Sequence, residues 1–152
     1  MVNPKLLKGE KLLDKIQPPK YEKTKLDNEY LKNITTQLQQ LNSTEKIFLE
    51  SDIRLEQIAG KLSIPKHHIT QALNLHLGKS FYEYINQLRI EHAQNLLNNL
   101  PEGDNVKTVM FASGFNNRAS FNNNFKKFTG KTASQYLKDQ LIEKGGNVGR
   151  QP

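Results

Sequence analysis

Two stretches of this chain of 152 residues follow one plan. In RLEQIAGKL, the residues Leu55, Ile58, Ala59 and Leu62 recur at steps of three and four, which lines them up on one side of a helix. Ser63, Ile64 and Pro65 interrupt, and KHHITQALNLHL then places Ile69, Ala72 and Leu73 on a second stripe. Helices joined by so short a turn must cross steeply. The plan returns at 106–128, with a short helix over 106–113, then Gly114, then a helix on which Phe121, Phe125 and Phe128 stand at i, i+4 and i+7. Both second helices run into Gly-Lys, in LGKS and TGKT, and each is followed by a helix carrying aromatic core residues, Phe81 and Tyr84 in one case and Tyr136 in the other. No stretch alternates apolar and polar over several β-branched residues, so strands are not expected. The predicted fold class is all-α: two helix-turn-helix subdomains joined by a long linker helix, homeodomain-like.

The linker helix is SFYEYINQLRIEHAQNLLNN, opened by Ser80 and Glu83 at capping-box spacing and striped by Phe81, Tyr84, Ile85, Leu88, Ala93, Leu96 and Leu97. LPEGDN ends it. Upstream, Leu31, Ile34, Leu38 and Leu41 give an amphipathic helix over 26–41, followed by a short helix near 43–51 for which Asn42 or Ser43 is a plausible cap. The 26–41 stripe also matches a and d heptad positions, so a homodimer through it is the alternative to docking on its own domain; docking is favoured, because coiled coils need more sustained heptads. The division that results is a basic linker over 1–25, a helical lead-in over 26–52, a first helix-turn-helix over 53–78, the linker helix over 80–99, a second helix-turn-helix with closing helix (132–140) over 104–140, and a flexible tail over 141–152. Pro4, Pro18 and Pro19 among lysines mark the linker, and GGNVGRQP is expected to fray.

Composition narrows the function. The chain is 36% hydrophobic with a mean hydropathy of −0.70, and it has no cysteine, which removes disulfides, thiolate metal sites and a cysteine nucleophile. No apolar run approaches the roughly 18 residues of a membrane span and MVNPKLLKGEKLLDK lacks a signal-peptide core, so the expected location is cytoplasmic. The net charge of +7 suits a polyanionic partner. Residues 1–25 carry seven Lys against three acids and 101–152 carry eight Lys/Arg against four, whereas 26–52 is acidic.

The helix faces turned away from the apolar stripes carry the functional signal. In the first unit they offer Lys66, His67, His68, Thr70, Gln71 and Asn74, and in the second Asn117, Arg118, Ser120, Asn122, Asn123, Lys126 and Lys127. A helix held by a bracing partner fits the major groove, where Asn and Gln pair with adenine and Arg with guanine, while Lys meets phosphate. Any surface helix is polar outside, but two copies, a net positive charge and few acids on either face favour duplex DNA. The competing readings are weaker. His67, His68, His76 and His92 form no metal-ligand or acid–base spacing, with His67 and His68 pointing outward and His92 at the edge of a packed stripe; no phosphate loop appears. Enzyme activity, a catalytic residue, a metal, a cofactor and a small-molecule ligand are therefore not expected. A protein-binding helical adaptor without DNA readout remains the alternative and would present an apolar outer face. RNA would call for exposed aromatic platforms, and a membrane-surface peptide for a basic amphipathic helix.

The run LEQIAGKLSIPKHHITQALNLHLGKSFYEYINQLRIEHAQNLL resembles the first half of the AraC/XylS-type DNA-binding domain, and VKTVMFASGFNNRASFNNNFKKFTGKTASQYLK resembles its second half, over about residues 53–138. The most specific pieces are FYEYINQLRIEHAQNLL and the GF...F...FKKFTGKT signature. The resemblance implies a transcription regulator whose two recognition helices enter successive major grooves on one face of the duplex, with double-stranded DNA as partner and RNA polymerase as a further candidate. It puts base-reading positions on His67, Thr70 and Gln71, and on Arg118, Ser120, Asn122 and Asn123, to which the polar face adds Asn117. Backbone contacts fall by the same resemblance on Asn74 and Lys126, and by charge on Lys66, Lys127 and Lys131.

Four residues depart from the family pattern: Pro65 replaces a Ser cap, Met110 a small Ala in the second bracing helix, Ala119 a Ser or Thr, and Ala133 the Pro of the closing segment. Met110 is the one expected to overpack a close helix contact. The sugar-sensing β-barrel typical of the family has no counterpart here. KYEKTKLDNEYLKNITTQLQQL instead looks like the approach to the DNA-binding domain in a subgroup with a membrane-embedded sensor, which implies a cytoplasmic output fragment.

Overall fold

The computed structural model describes the backbone of residues 20–148 and the side chains of 28–146. The basic linker expected over 1–25 therefore lies largely outside the described residues, as do the last four residues of the tail. Among the described residues every regular element is helical. Helix α1 spans Lys20–Glu45, and a 3-10 turn follows at Ile47–Leu49. The first unit consists of α2 (Leu55–Leu62) and α3 (Lys66–Ala72), which widens into a π-turn at Leu73–Leu77. The linker helix is α4 (Phe81–Asn98); α5 (Val106–Ala112) and α6 (Arg118–Thr129) form the second unit, and α7 (Ala133–Val148) closes it.

Three expected boundaries are corrected. Helix α1 starts at Lys20 and runs through both proposed caps to Glu45, leaving a single 3-10 turn where a second helix was expected. Asn42 does not cap; it is buried within α1, where its amide Nδ2 donates to the Leu38 carbonyl at 2.9 Å and to the Tyr84 hydroxyl at 3.2 Å. Ser43 bonds back to the Gln40 carbonyl, and α1 stops only where Lys46 turns left-handed at φ 50°. At the other end α7 carries the chain helically through Gly145 and Gly146 to Val148, beyond the point where fraying was expected.

There are two cores, and α4 belongs to both. Phe81, Tyr84 and Ile85 close the first with Leu31, Ile34 and Leu38 of α1, Ile58 of α2 and Ile69, Ala72 and Leu73 of the recognition helix. The α1 stripe that would have made a dimer seam is thus buried within its own chain. Ile90, Ala93 and Leu97 close the second core with Val109, Met110, Phe115, Phe121, Phe125 and Ala133. Met110 is buried there, with its neighbour Phe111 turned to solvent. Leu88 and Leu96, read as full members of the stripe, are half-buried, and Ile90 and Arg89 are the buried positions that the apolar count passed over.

The two units repeat a backbone device as well as a pattern. Bracing helix α2 ends at Ser63 in the left-handed region (φ 54°), with the Ile64 amide bonded to the Ala59 carbonyl at 3.0 Å. Bracing helix α5 ends at Gly114 (φ 86°), with the Phe115 amide bonded to the Met110 carbonyl at 3.2 Å. Each is a Schellman stop followed by a buried apolar residue, which reverses the chain and pins the start of the recognition helix.

Candidate DNA interface

Recognition helix α3 leaves Pro65 at φ −58° without a side-chain cap, the consequence of having Pro where a hydroxyl would serve. His67, Thr70, Gln71 and Asn74 are exposed and share a shallow hollow of about 450 Å³ with Leu75. His68 does not point outward as expected: it is half-buried, with Nδ1 3.1 Å from the Tyr30 hydroxyl of α1 and its ring edge-on to Tyr30. Lys66 is paired with Glu56 of α2 at 2.7 Å, and that ammonium holds the Glu56 carboxyl below its ordinary range. Both groups are exposed, so the pair holds Lys66 only weakly and leaves it available to a phosphate.

Recognition helix α6 begins with a true cap, because the Asn117 Oδ1 accepts from the Ser120 amide at 3.1 Å. The Asn117 oxygen is therefore committed to the helix start. Arg118, Asn122, Asn123 and Lys126 are exposed, and Ser120 is half-buried. Phe121 and Phe125 anchor the opposite face in the second core, while Phe128 is half-buried against it. Lys126 and Arg118 form no ion pair among the described residues. Lys131 is paired with Asp139 of α7 at 2.6 Å.

The frame between α3 and α6 is built from Arg89, which the sequence did not single out, and from Gly114, Glu83 and Lys127, which it named for other roles. Arg89, only 8% exposed, donates from Nε to the Phe48 carbonyl and from a terminal nitrogen to the Glu50 carbonyl, both at 2.7 Å. Its guanidinium also stands 5.4 Å from the centre of the Phe115 ring in the second unit. Gly114 closes the same junction from the other side, since a Cβ there would lie 2.9 Å from the carbonyl oxygens of both Phe48 and Leu49. The turn of the second unit is thus seated on the 3-10 turn of the first. A third tie runs along the exposed side: Glu83, in the capping box immediately after the first recognition helix, accepts from Lys127 of α6 at 3.0 Å. The Ser80 amide, then Lys127 and the Ser80 hydroxyl pull the Glu83 carboxyl down to about 2. An arginine on an apolar stripe and a glycine between two helices were the available signals for this frame.

Among the described residues, no group of three or more His, Cys, Asp or Glu is placed to hold a metal, and no helix is long and apolar enough to cross a membrane. The candidate site is a pair of exposed polar helix faces on one braced scaffold. A family model described as a helix-turn-helix domain matches residues 58–139, and the chain belongs to that family, in its AraC-type branch of DNA-binding transcription regulators. Among individual proteins, it is 28% identical over 95 residues to an uncharacterized HTH-type transcriptional regulator of Staphylococcus aureus, in a match covering 62% of this chain and 12% of the relative. It is 29% identical over 89 residues to the Msm operon regulatory protein of Streptococcus mutans, covering 59% of this chain and 31% of that one. The fold is similar to the C-terminal domain of AraT, a response regulator from Geobacillus stearothermophilus, with a TM-score of 0.57 at 25% identity over 72% of this chain and 84% of that domain.

Proposed function

We propose that this chain reads a two-part operator in duplex DNA, with α3 and α6 in successive major grooves about 34 Å apart on one face. His67, Thr70 and Gln71 face bases of one half-site, and Asn117, Arg118, Ser120, Asn122 and Asn123 those of the other. Lys66, Asn74, Lys126, Lys127 and Lys131 are assigned to the phosphates, where they set register and most of the salt dependence. The observation that carries this reading is the junction that seats the turn of the second unit on the first, with Gly114 against the Phe48 and Leu49 carbonyls and Arg89 bonded to the Phe48 and Glu50 carbonyls, which holds the two helices on one scaffold. The polar outer faces disfavour the adaptor alternative. The match spans 12% and 31% of the length of the two relatives.

Selection of bound sequences from random duplex DNA, at stated salt, tests the proposal. Two short half-motifs about ten base pairs apart, centre to centre, are expected. On the selected duplex, Arg118→Ala should lose about 1–3 kcal/mol and relax preference at one base pair. Lys126→Ala should weaken binding to all sequences and lower the salt slope by about one. Unchanged affinity and preference in Arg118→Ala would show that Arg118 does not read a base.

A further inference from the structure

The first reading face contains one residue that polar base recognition does not account for. Leu75 is 64% exposed and lines the hollow formed by His67, Thr70, Gln71 and Asn74. It lies within the π-turn at Leu73–Leu77. Leu73 is buried and Leu77 half-buried on the core side, and Leu75 stands out between them. Widened turns of this kind are frequent at functional sites. A single exposed leucine is ordinary on a protein surface, but this one lies within the concavity assigned to base reading.

Among the base edges in the major groove, the C5 methyl of thymine is the apolar feature, and small apolar side chains contact it. Gln71 lines the same hollow as Leu75, so the two side chains face one stretch of groove. A glutamine can pair bidentately with adenine N6 and N7. We propose that Leu75 is a specificity-determining residue that packs on a thymine methyl in the first half-site, beside an adenine paired with Gln71. This rests on the DNA-reading proposal above and adds to it a preference for A·T pairs under the end of α3.

The test replaces each thymine of the selected first half-site, one at a time, with deoxyuridine, which lacks only the methyl. For the wild-type chain, one replacement should weaken binding roughly fourfold, the effect of one buried methyl. Leu75→Ala should bind the thymine duplex at least as weakly and show less than a twofold difference between thymine and deoxyuridine at that position. Leu75→Met, which keeps an apolar reach, should preserve the discrimination. Because Leu75 is outside the core, the alanine variant should melt like the wild type, which keeps the readout on binding. Discrimination by Leu75→Ala equal to the wild type's at every thymine would overturn the inference while leaving DNA reading intact. Failure to enrich any motif in the selection would overturn the DNA-reading proposal and this inference together.

Discussion

Arg89 is a charged residue in a buried position, and its partners explain why it is tolerated. Burial lowers its pKa from the ordinary arginine value, but two main-chain carbonyls receive its N–H groups and an aromatic ring flanks it. Removing the guanidinium in Arg89→Ala would leave the Phe48 and Glu50 carbonyls without their donor, at a cost of about 2–4 kcal/mol. Urea unfolding should show this as a lowered midpoint, and Arg89→Lys should recover only part of it, because an ammonium cannot reproduce the planar fork. Gly114→Ala combines a positive φ with a β-carbon pressed on two carbonyl oxygens, so a loss above about 1 kcal/mol is expected in the same measurement. Neither role was legible beforehand. Counting apolar positions steps over an arginine, and a glycine between helices announces a turn without saying what the turn rests against.

The helices themselves were largely legible, because each carries its own period and most carry their own stops. The α2–α3 pair, the α4 capping box and the α5–α6 pair fall where the spacing of apolar residues put them. The misses are at ends and registers. Asn42 and Ser43 favour helix starts, yet both side chains can bond to carbonyls one turn back, and in α1 they do. His68 was read as outward from α3 alone, whereas α1 supplies Tyr30 to cover it. The π-turn shifts the register beyond Leu73, which no 3.6-residue count anticipates. At this scale the Glu83 link makes a prediction about acid. A carboxyl held near 2 in the folded chain, against an ordinary 4.5, contributes stability that is present above pH 4.5 and lost as pH falls towards 2. Glu83→Gln should therefore flatten the dependence of melting temperature on pH between 4.5 and 2, and Lys127→Ala should flatten it in part.

Across the whole molecule, two cores share one helix and meet at a junction of main-chain groups. Leu88, read from its spacing as a full member of the linker-helix stripe, is instead half-buried against the first core. Leu88→Asp should consequently cost less than Ile85→Asp, which puts a carboxylate among fully packed side chains; thermal melting should separate the two variants. A braced scaffold should also be intolerant of operator geometry. Moving the half-motifs apart by a few base pairs rotates one groove out of reach, so gel-shift affinity should fall towards that of a single half-site, and bendable steps between the motifs should bind better than stiff ones.

The seat of Gly114 on the carbonyls of Phe48 and Leu49 separates two properties of a regulator. In the proposed reading, what each half-site spells depends on side chains at the surface, but the gap between the words is gauged by peptide oxygens and a missing β-carbon. New operators are thus open to this chain by substitution on its outer faces, whereas a new interval between them would demand that the joint itself be rebuilt.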